Sequence, residues 1–243
     1  MKVLITMAGL GSRFNKIGIK YPKYKIIANG KSLFEWSMIS LKDFFNYEFI
    51  FITRDEVLDE NFIISKCEEL GINDLKVVSL NEITDGQATT AIYADEYVSD
   101  SEACIIYNID TYVKPNAICR NDINDELHGF IPVIRAEGDR WSFVKLNKDG
   151  LVEEVAEKKP ISNLATIGLY YFKSWAKYKE IYYKMREEIK INSQECYIAP
   201  MYNYLLKENV KVGIKILDND EVSILGTPEE IEEFDKEYLA NNL

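Results

Sequence analysis

The feature that most constrains this chain is the regular alternation of β-favouring runs and helical segments over its first 110 residues. Four short apolar runs, at 2–7, 48–53, 76–80 and 103–109, are separated by segments with helix-start and helix-stop signals. Parallel strands need crossover connections, which are usually helices that cover the faces of the sheet. We therefore expect an α/β fold whose first half is built on a largely parallel sheet.

Local signals place the helices of this first half. Ser32 and Glu35 have the spacing of a capping box, which predicts a helix that continues to about Phe45. A second helix is expected near 60–70, where Gly71 can close it, and a third is expected over 87–97.

The second half has a different rhythm, with strands joined by short connections. The turn at 147–150 (NKDG) predicts a hairpin, and Thr227, Pro228 and Glu230 have the N-cap, first-turn and capping-box positions of a last helix. No linker divides the chain, so we expect one domain, 1–243, with halves 1–125 and 126–243. The other predicted elements are strands at 129–135, 142–146, 151–157, 165–172, 210–217 and 222–225, and helices at 174–189 and 196–208.

Composition excludes several classes of protein. A chain of 243 residues with 47% hydrophobic residues can bury a sizeable core, which argues against a disordered protein. The net charge of -11 argues against binding to nucleic acid or to an anionic membrane. The four cysteines have no CxxC spacing, and no run has the length of a membrane span, so we expect a cytoplasmic protein with reduced thiols. A homo-oligomer is left open.

A glycine loop follows the first predicted strand. Gly9 and Gly11 allow backbone amides to approach phosphate oxygens, and Arg13 can add a charged fork. Phe14 occupies the third glycine position of the dinucleotide fingerprint, and the loop lacks the lysine and hydroxyl ending of a P-loop. Taken alone, the glycines could equally make a tight turn.

Two further charged residues are candidates for the same site. Lys23 follows Pro22, which fixes the backbone, so its ammonium could reach the same phosphates; a solvated surface lysine is the alternative. Asp110 ends a buried strand, where a carboxylate is costly unless it meets a cation such as Mg²⁺. A loop-capping role for Asp110 is the competing interpretation.

Several sequence blocks together resemble the nucleotidyltransferases that act on sugar phosphates and related phosphorylated metabolites. The opening block is 7–14 (MAGLGSRF) followed by Pro22 and Lys23. The resemblance implies a Rossmann-like nucleotidyltransferase fold, with a mixed, mostly parallel central sheet, a nucleotide-binding first half and an added acceptor-binding half. The later blocks are 85–88 (DGQA), 108–110 (NID), 141–145 (WSFVK), 157–160 (EKKP), 167–172 (IGLYYF) and 226–229 (GTPE).

The resemblance also implies roles for individual residues. Arg13 would act on the leaving pyrophosphate, Lys23 would neutralise charge on the α-phosphate, Gln87 would contact the base and Asp110 would hold Mg²⁺. Lys158 would bind the phosphate of the acceptor. The remaining implied residues are Ala8, Gly9, Gly11 and Ser12 for the nucleotide, and Trp141, Glu157, Gly168 and Glu195 for the acceptor.

One position departs from the family pattern. The family often has a second metal-binding aspartate just before the Gly-Thr of its last block, where this chain has Leu225. Either Asp218, Asp220 or Glu221 substitutes from the neighbouring turn, or Asp110 and the triphosphate bind the metal with water completing its shell.

The residue inventory fits transfer to a phosphate. A phosphomonoester has a second pKa of about 6, so it is already a nucleophile at neutral pH and needs no base. The chain has one histidine, His128, in a predicted loop. A glycosyltransferase usually has an Asp-x-Asp pair, whereas Thr111 and Tyr112 follow Asp110. A non-catalytic nucleotide sensor is a rival that the missing aspartate alone supports.

The pattern around 141–142 and 157–162 is most similar to family members from capsule and surface-polysaccharide pathways, several of which use CTP. Within that group the similarity favours phosphoglutamine as the acceptor. Phosphocholine, or a sugar 1-phosphate with UTP or dTTP, is the alternative.

Overall fold

The central element of the protein is one large mixed sheet. The computed structural model describes residues 1–192 and 195–242, except for the side chains of 189–192. The strands are β1 (Lys2–Thr6), β2 (Ile27–Ala28), β3 (Lys31–Ser32), β4 (Glu48–Arg54), β5 (Leu75–Leu80), β6 (Cys104–Asn108), β7 (Thr111–Val113), β8 (Leu127–Arg135), β9 (Ser142–Leu146), β10 (Val152–Glu157), β11 (Leu164–Thr166), β12 (Leu169–Phe172), β13 (Lys211–Ile216) and β14 (Val222–Ile224). The helices are α1 (Ser12–Lys16), α2 (Leu33–Ile39), α3 (Glu60–Leu70), α4 (Gln87–Ile92), α5 (Trp175–Asn192), α6 (Met201–Leu206), α7 (Pro228–Phe234) and α8 (Tyr238–Asn242).

The two halves of the sheet differ in strand direction. The order is β10-β9-β11-β8-β12-β6-β1-β4-β5, and β13 also pairs with β8. Strands β6, β1, β4 and β5 are parallel. Strands β8 to β12 pair antiparallel with one another, and β12 pairs antiparallel with β6. The predicted α/β fold with a mixed central sheet is confirmed, and its consecutive parallel strands lie in the first half.

The register of β1 decides where the site forms. Lys2–Thr6 pairs with Glu48–Ile52 on one side and with Cys104–Asn108 on the other, all in the same direction. The carboxyl ends of β1, β4 and β6 therefore lie side by side at one edge, which is where ligands bind in open α/β sheets. The segments that follow these strands contain the glycine loop, Arg54 and Asp110.

Both faces of the sheet are covered by apolar side chains. On one face, Trp175 and Tyr178 of α5 stack with ring centroids 4.8 Å apart, beside the fully buried Tyr202 of α6. On the other, Phe34 of α2 packs on Phe51 of β4 at 5.3 Å. Each face therefore has its own core, as expected for strands that are apolar on both sides.

A third, smaller cluster joins the two ends of the chain. Phe14 of α1 and Leu33 of α2 are buried with Leu225, Ile231 and Tyr238. The side chain of Asn242 also bonds the backbone of β2. Residues between Leu225 and Asn242 therefore support the segment that contains the glycine loop.

Three predicted helices are shorter than their patterns suggested. The Ser32–Glu35 capping box is present, but α2 ends at Ile39, where the Ser40 hydroxyl accepts from Val113 N at 2.8 Å. The helix predicted over 87–97 ends at Ile92 and is followed by a separate 3-10 turn. The helix predicted over 196–208 begins only at Met201, because the backbone of Cys196 bonds Asp85 and Ala88 instead.

One predicted strand is divided in two. The run at 165–172 forms β11 and β12, which are separated at Gly168, where φ is +84°. This left-handed conformation is favoured only by glycine and cannot continue a strand. In contrast, the hairpin at 147–150 and helix α3 with Gly71 at its end agree with the prediction. No helix in the described ranges is both long and apolar enough to cross a membrane.

Candidate active site

The glycine loop joins the end of β1 to the short helix α1. Gly11 lies just before α1 with φ +60°, and its carbonyl accepts from the amides of Phe14 and Asn15. A side chain at this φ would be strained, so the turn requires glycine here. Gly9, Gly11, Ser12 and Arg13 line a cavity of about 480 Å³, and Arg13 is exposed to solvent.

Lys23 and Asp110 meet in the wall of the same cavity. The Lys23 ammonium lies 2.6 Å from Asp110 Oδ2 and 3.2 Å from the carbonyl oxygen of Gly226. Their side chains are 16% and 30% exposed, so this ion pair is only partly screened by water. Three segments that are far apart in sequence therefore converge with Arg13 on one cavity.

Ala8 and Gln87 lie beside this cavity, outside its lining residues. Ala8 is buried, and Gln87 at the start of α4 donates from Nε2 to Thr6 Oγ1 at 3.0 Å. Thr6 is the last residue of β1 and does line the cavity. Gln87 is thus held next to the nucleotide loop, at the edge of the sheet where the resemblance places the base.

The residues around Asp110 fit a magnesium ion held mainly by phosphates. In the part of the chain that the structure describes, no group of three or more His, Cys, Asp or Glu side chains is placed to bind a metal. Mg²⁺ is commonly bound through one or two carboxylates together with substrate phosphates and water. The partly exposed Asp110 carboxylate, which lies in the cavity wall beside Lys23, is compatible with that mode.

The residues considered as replacements for the missing aspartate lie elsewhere. Leu225, at the family position, is fully buried. The 218–221 turn precedes β14 and bonds Lys114, at the end of the β7–β14 pair away from Asp110. Asp220 forms an ion pair with Lys114 at 3.0 Å. Of the two alternatives, the described residues favour Asp110 with the triphosphate and water.

A second group forms around Lys158. The Lys158 ammonium lies 2.6 Å from Tyr197 Oη and 4.7 Å from the centre of the Tyr197 ring, and the same hydroxyl donates to the Glu195 carboxylate. The bond to Tyr197 raises the pKa of Lys158, and burial raises the pKa of Glu157, which accepts from Ser142.

These residues line a cavity of their own. Glu157, Lys158, Glu195 and Tyr197 are in the wall of a cavity of about 690 Å³. Glu195 also lines the cavity that contains Lys23 and Asp110. The two cavities therefore meet at Glu195, which gives space for two reactants at adjoining sites.

Two residues predicted at the acceptor have different positions. The Trp141 carbonyl accepts from Lys158 N at 2.9 Å, but the Trp141 ring lines a separate cavity of about 790 Å³, with the Arg140 guanidinium 4.4 Å from its centre. A Cβ at Gly168 would lie 2.2 Å from Asn108 Nδ2. Gly168 therefore provides space for Asn108 and does not line either reactant cavity.

Sequence reasoning missed Arg54 and Asn108 as lining residues. Both stand at the carboxyl ends of central strands and line the cavity of Lys23 and Asp110. Asp110 was predicted because it ends an apolar run, and the same signal could have identified Arg54, which follows the apolar run 48–53.

Comparisons with known proteins agree with this architecture. No protein-family model and no curated protein matches the chain. Among solved structures, the nucleoside-diphosphate-sugar pyrophosphorylase from Vibrio cholerae RC9 is 32% identical, with a TM-score of 0.88 over 97% of this chain and 100% of that one.

Two more distant structures share the fold. The inositol-1-phosphate CTP transferase from T. maritima is 17% identical, with a TM-score of 0.76 over 96% of this chain and 97% of that one. A Bacillus anthracis protein described as a glucose-1-phosphate thymidylyltransferase is 18% identical, with a TM-score of 0.76 over 100% of this chain and 96% of that one. Given the identity and full coverage of the Vibrio structure, this chain belongs to the nucleotidyltransferase family that includes the nucleoside-diphosphate-sugar pyrophosphorylases.

Proposed function

We propose that this protein transfers the nucleotidyl group of a nucleoside triphosphate, with CTP favoured, to a phosphorylated small molecule and releases pyrophosphate. The observation that carries the proposal is the convergence of Arg13, Lys23 and Asp110 on one cavity that meets a second cavity at Glu195. We assign the first cavity and the half 1–125 to the nucleotide, and the second cavity and the half 126–243 to the acceptor.

The chemistry requires the alignment of two anions more than it requires a base. The acceptor phosphate attacks the α-phosphorus, and the bond from that phosphorus to the oxygen bridging it to the β-phosphate breaks. Arg13 neutralises charge on the leaving pyrophosphate, and Lys23 neutralises charge on the α-phosphate. Gly9, Gly11 and Ser12 hold the triphosphate and Gln87 contacts the base. Ala8, which is buried, acts through its backbone at the start of the glycine loop.

Asp110 is the residue that would hold Mg²⁺, which supplies further neutralisation of the phosphates when it is bound. Asp110 also pairs with the Lys23 ammonium, so it fixes the direction in which this lysine points. Asn108, two residues before Asp110, has a buried Oδ1 atom without a hydrogen-bond partner among the described residues.

On the acceptor side, Lys158 binds the phosphate and Glu157 and Glu195 face the remainder of the molecule. Gly168 contributes by giving room to Asn108, and Trp141 contributes through its carbonyl bond to Lys158. The Lys158–Tyr197–Glu195 arrangement places a cation, an aromatic face and a carboxylate together, which suits an acceptor with both a phosphate and an amino group.

We favour a cytoplasmic cytidylyltransferase that makes a precursor for capsule or surface polysaccharide, with phosphoglutamine as the first candidate acceptor. The support is the resemblance of the blocks at 141–145 and 157–160 to family members from these pathways. Phosphocholine, or UTP or dTTP with a sugar 1-phosphate, is the alternative. The T. maritima structure is described as a CTP transferase, and the Bacillus anthracis structure as a thymidylyltransferase.

The test is a pyrophosphate-release assay that crosses four nucleoside triphosphates with phosphoglutamine, phosphocholine and several sugar 1-phosphates, with Mg²⁺ present. We expect release that depends on both reactants and is fastest with CTP. Tight nucleotide binding without pyrophosphate release across the panel would instead support a nucleotide sensor.

A further inference from the structure

Arg54 is a nearly buried cation at the edge of the sheet where the ligand cavity opens. It is the last residue of β4, and its side chain is 7% exposed. Its Nε donates to the carbonyl of Ala8 at 3.0 Å, and its Nη1 pairs with Glu56 Oε2 at 2.7 Å. Arg54 thus supports the first residue of the glycine loop from beneath.

The protein satisfies only part of this guanidinium. Arginine has five N–H donors, and the bonds to Ala8 and Glu56 use two of them. Nη2 has no partner among the described residues, and it is not sealed from solvent. A guanidinium that is largely withdrawn from water and still has open donors is a favourable partner for an anion.

The existing partner of Arg54 is a weak competitor for that role. The Glu56 carboxylate is 80% exposed, so water screens its attraction to the guanidinium. Arg54 lines the same cavity as Arg13, Lys23 and Asp110. Arg54 does not line the cavity of Lys158 and Glu195, so of these two cavities only the first includes this cation in its wall.

We propose that Arg54 is a third phosphate-binding cation of this site and contacts the pyrophosphate portion of the nucleoside triphosphate. This proposal rests on the proposed function, in which Lys23 binds the α-phosphate and the pyrophosphate portion is left for Arg13 and Arg54. A planar guanidinium can bind two phosphate oxygens at once, while its Nε continues to hold Ala8. Arg54 therefore couples the position of the glycine loop to the arrival of the triphosphate.

The direct test measures binding of inorganic pyrophosphate to the full chain by calorimetry, in wild type and in Arg54→Met. We expect affinity to fall by about tenfold or more, as for loss of a charge-assisted hydrogen bond. The affinity of Arg54→Lys, which keeps the positive charge but lacks the planar guanidinium, should lie between those of wild type and Arg54→Met. Arg135→Met is the matched control, because Arg135 is exposed at the end of β8 and lines a different cavity. A folded Arg54→Met protein that binds pyrophosphate within twofold of wild type would overturn the proposal.

A second variant tests the same contact with the arginine intact. Glu56→Gln removes the exposed competitor and leaves the bond to Ala8, so pyrophosphate should bind about threefold more tightly. Glu60→Gln, at the start of α3, controls for the loss of one negative charge. Unchanged or weaker binding in Glu56→Gln, relative to this control, would contradict the proposal even if Arg54→Met does not fold.

Steady-state kinetics separate binding from a merely structural role. In Arg54→Met the KM for the nucleoside triphosphate and the inhibition constant for pyrophosphate should rise together, with the KM for the acceptor unchanged. An equal rise in both KM values would indicate general loosening of the site and would count against the proposal. Because pyrophosphate binding needs no acceptor, it can fail or succeed independently of the turnover that tests the proposed function.

Discussion

The nucleotide cavity and the acceptor cavity are built in opposite ways. In the first, Lys23, Asp110 and Gly226 come from distant parts of the chain and meet at 2.6 to 3.2 Å, partly screened from water. In the second, Lys158 is exposed and rests on Tyr197, close to one end of a hairpin. The two groups therefore differ in their exposure to water, although both join residues that are distant in sequence: the Lys23–Asp110 pair is partly screened, whereas the Lys158–Tyr197 contact is exposed.

The sheet underlies the same contrast. The nucleotide cavity lies at the carboxyl ends of parallel strands, where several chain segments must converge. The acceptor cavity lies beside antiparallel strands joined by a short turn. Changes at the first site should therefore affect catalysis as a whole, and changes at the second should affect one substrate.

The largest effect is expected at the Lys23–Asp110 pair. Asp110→Asn and Lys23→Met should each lower turnover by about a hundredfold or more. Lys23→Met removes the cation that we assign to the α-phosphate, and Asp110→Asn removes the carboxylate that we assign to Mg²⁺. Turnover is measured as pyrophosphate release at saturating substrates. The matched controls, Asp220→Asn and Lys16→Met, change exposed side chains outside this cavity and should stay within about twofold of wild type. Near-normal turnover in a folded Asp110→Asn protein would remove the contrast between the two cavities.

The next effect concerns the glycine that gives room to Asn108. Gly168→Ala should destabilise the protein by at least about 2 kcal/mol more than Gly150→Ala, as measured by denaturant unfolding. Both glycines have φ near +80°, but only at Gly168 would the new Cβ meet a neighbour, Asn108 Nδ2 at 2.2 Å. The difference between the variants therefore isolates the steric term. Equal losses would show that Asn108 can move aside and is not fixed in the site.

A smaller, substrate-specific effect is expected at Lys158. Lys158→Ala should raise the KM for the acceptor by about tenfold and leave the KM for the nucleoside triphosphate unchanged, because one charge-assisted contact is lost. Lys159→Ala, at the exposed neighbouring position, serves as the control. An unchanged acceptor KM would refute the assignment of Lys158. A rise in both KM values would show that Lys158 does not act on the acceptor alone.

The smallest effect is a pH dependence of stability at Glu157. Burial raises the folded-state pKa of this carboxyl above 4.5, so the folded protein holds the proton to higher pH than the unfolded chain does. The contribution to stability is present at low pH and is lost as pH rises from about 4.5 through the folded-state pKa. The unfolding free energy of wild type, relative to Glu157→Gln, should fall over this window. Ser142→Ala removes a bond that lowers the pKa of Glu157, so it should extend this pH range upward. A difference in unfolding free energy between wild type and Glu157→Gln that does not change with pH would show that Glu157 is not desolvated.

Sequence reasoning succeeded where structure is decided locally. The capping box at Ser32 and Glu35 and the Gly71 helix end depend on residues within one turn of one another, and both are present. The hairpin at 147–150 also follows from four adjacent residues. The convergence of Arg13, Lys23 and Asp110 was expected both from their positions near the ends of predicted strands and from the family resemblance, and the geometry brings them to one cavity.

What the sequence did not reveal depends on contacts between distant segments. At the end of α2 the Ser40 hydroxyl accepts a bond from Val113 N. Before the late start of α6, Cys196 N donates to the Asp85 carbonyl and the Cys196 carbonyl accepts from Ala88 N. The strand pair β7–β14 joins residues more than a hundred positions apart, so no local sequence pattern predicts it. The backbones of Trp141 and Lys158 are bonded to each other, yet Trp141 lines a different cavity from Lys158. The sequence did not reveal this difference, because it depends on distant segments.

The bond between Lys23 and the Gly226 carbonyl has a consequence for the order of assembly during synthesis. A nascent chain that has emerged only as far as α6 already contains both β1 and Asp110, yet it lacks the segment that closes over the lysine. The pocket is therefore completed only once the segment from Leu225 to Ile231 has been made and packs with Phe14 and Leu33. A ribosome-bound or prematurely terminated product would accordingly be unable to present a finished pocket to the cell's nucleotide pool.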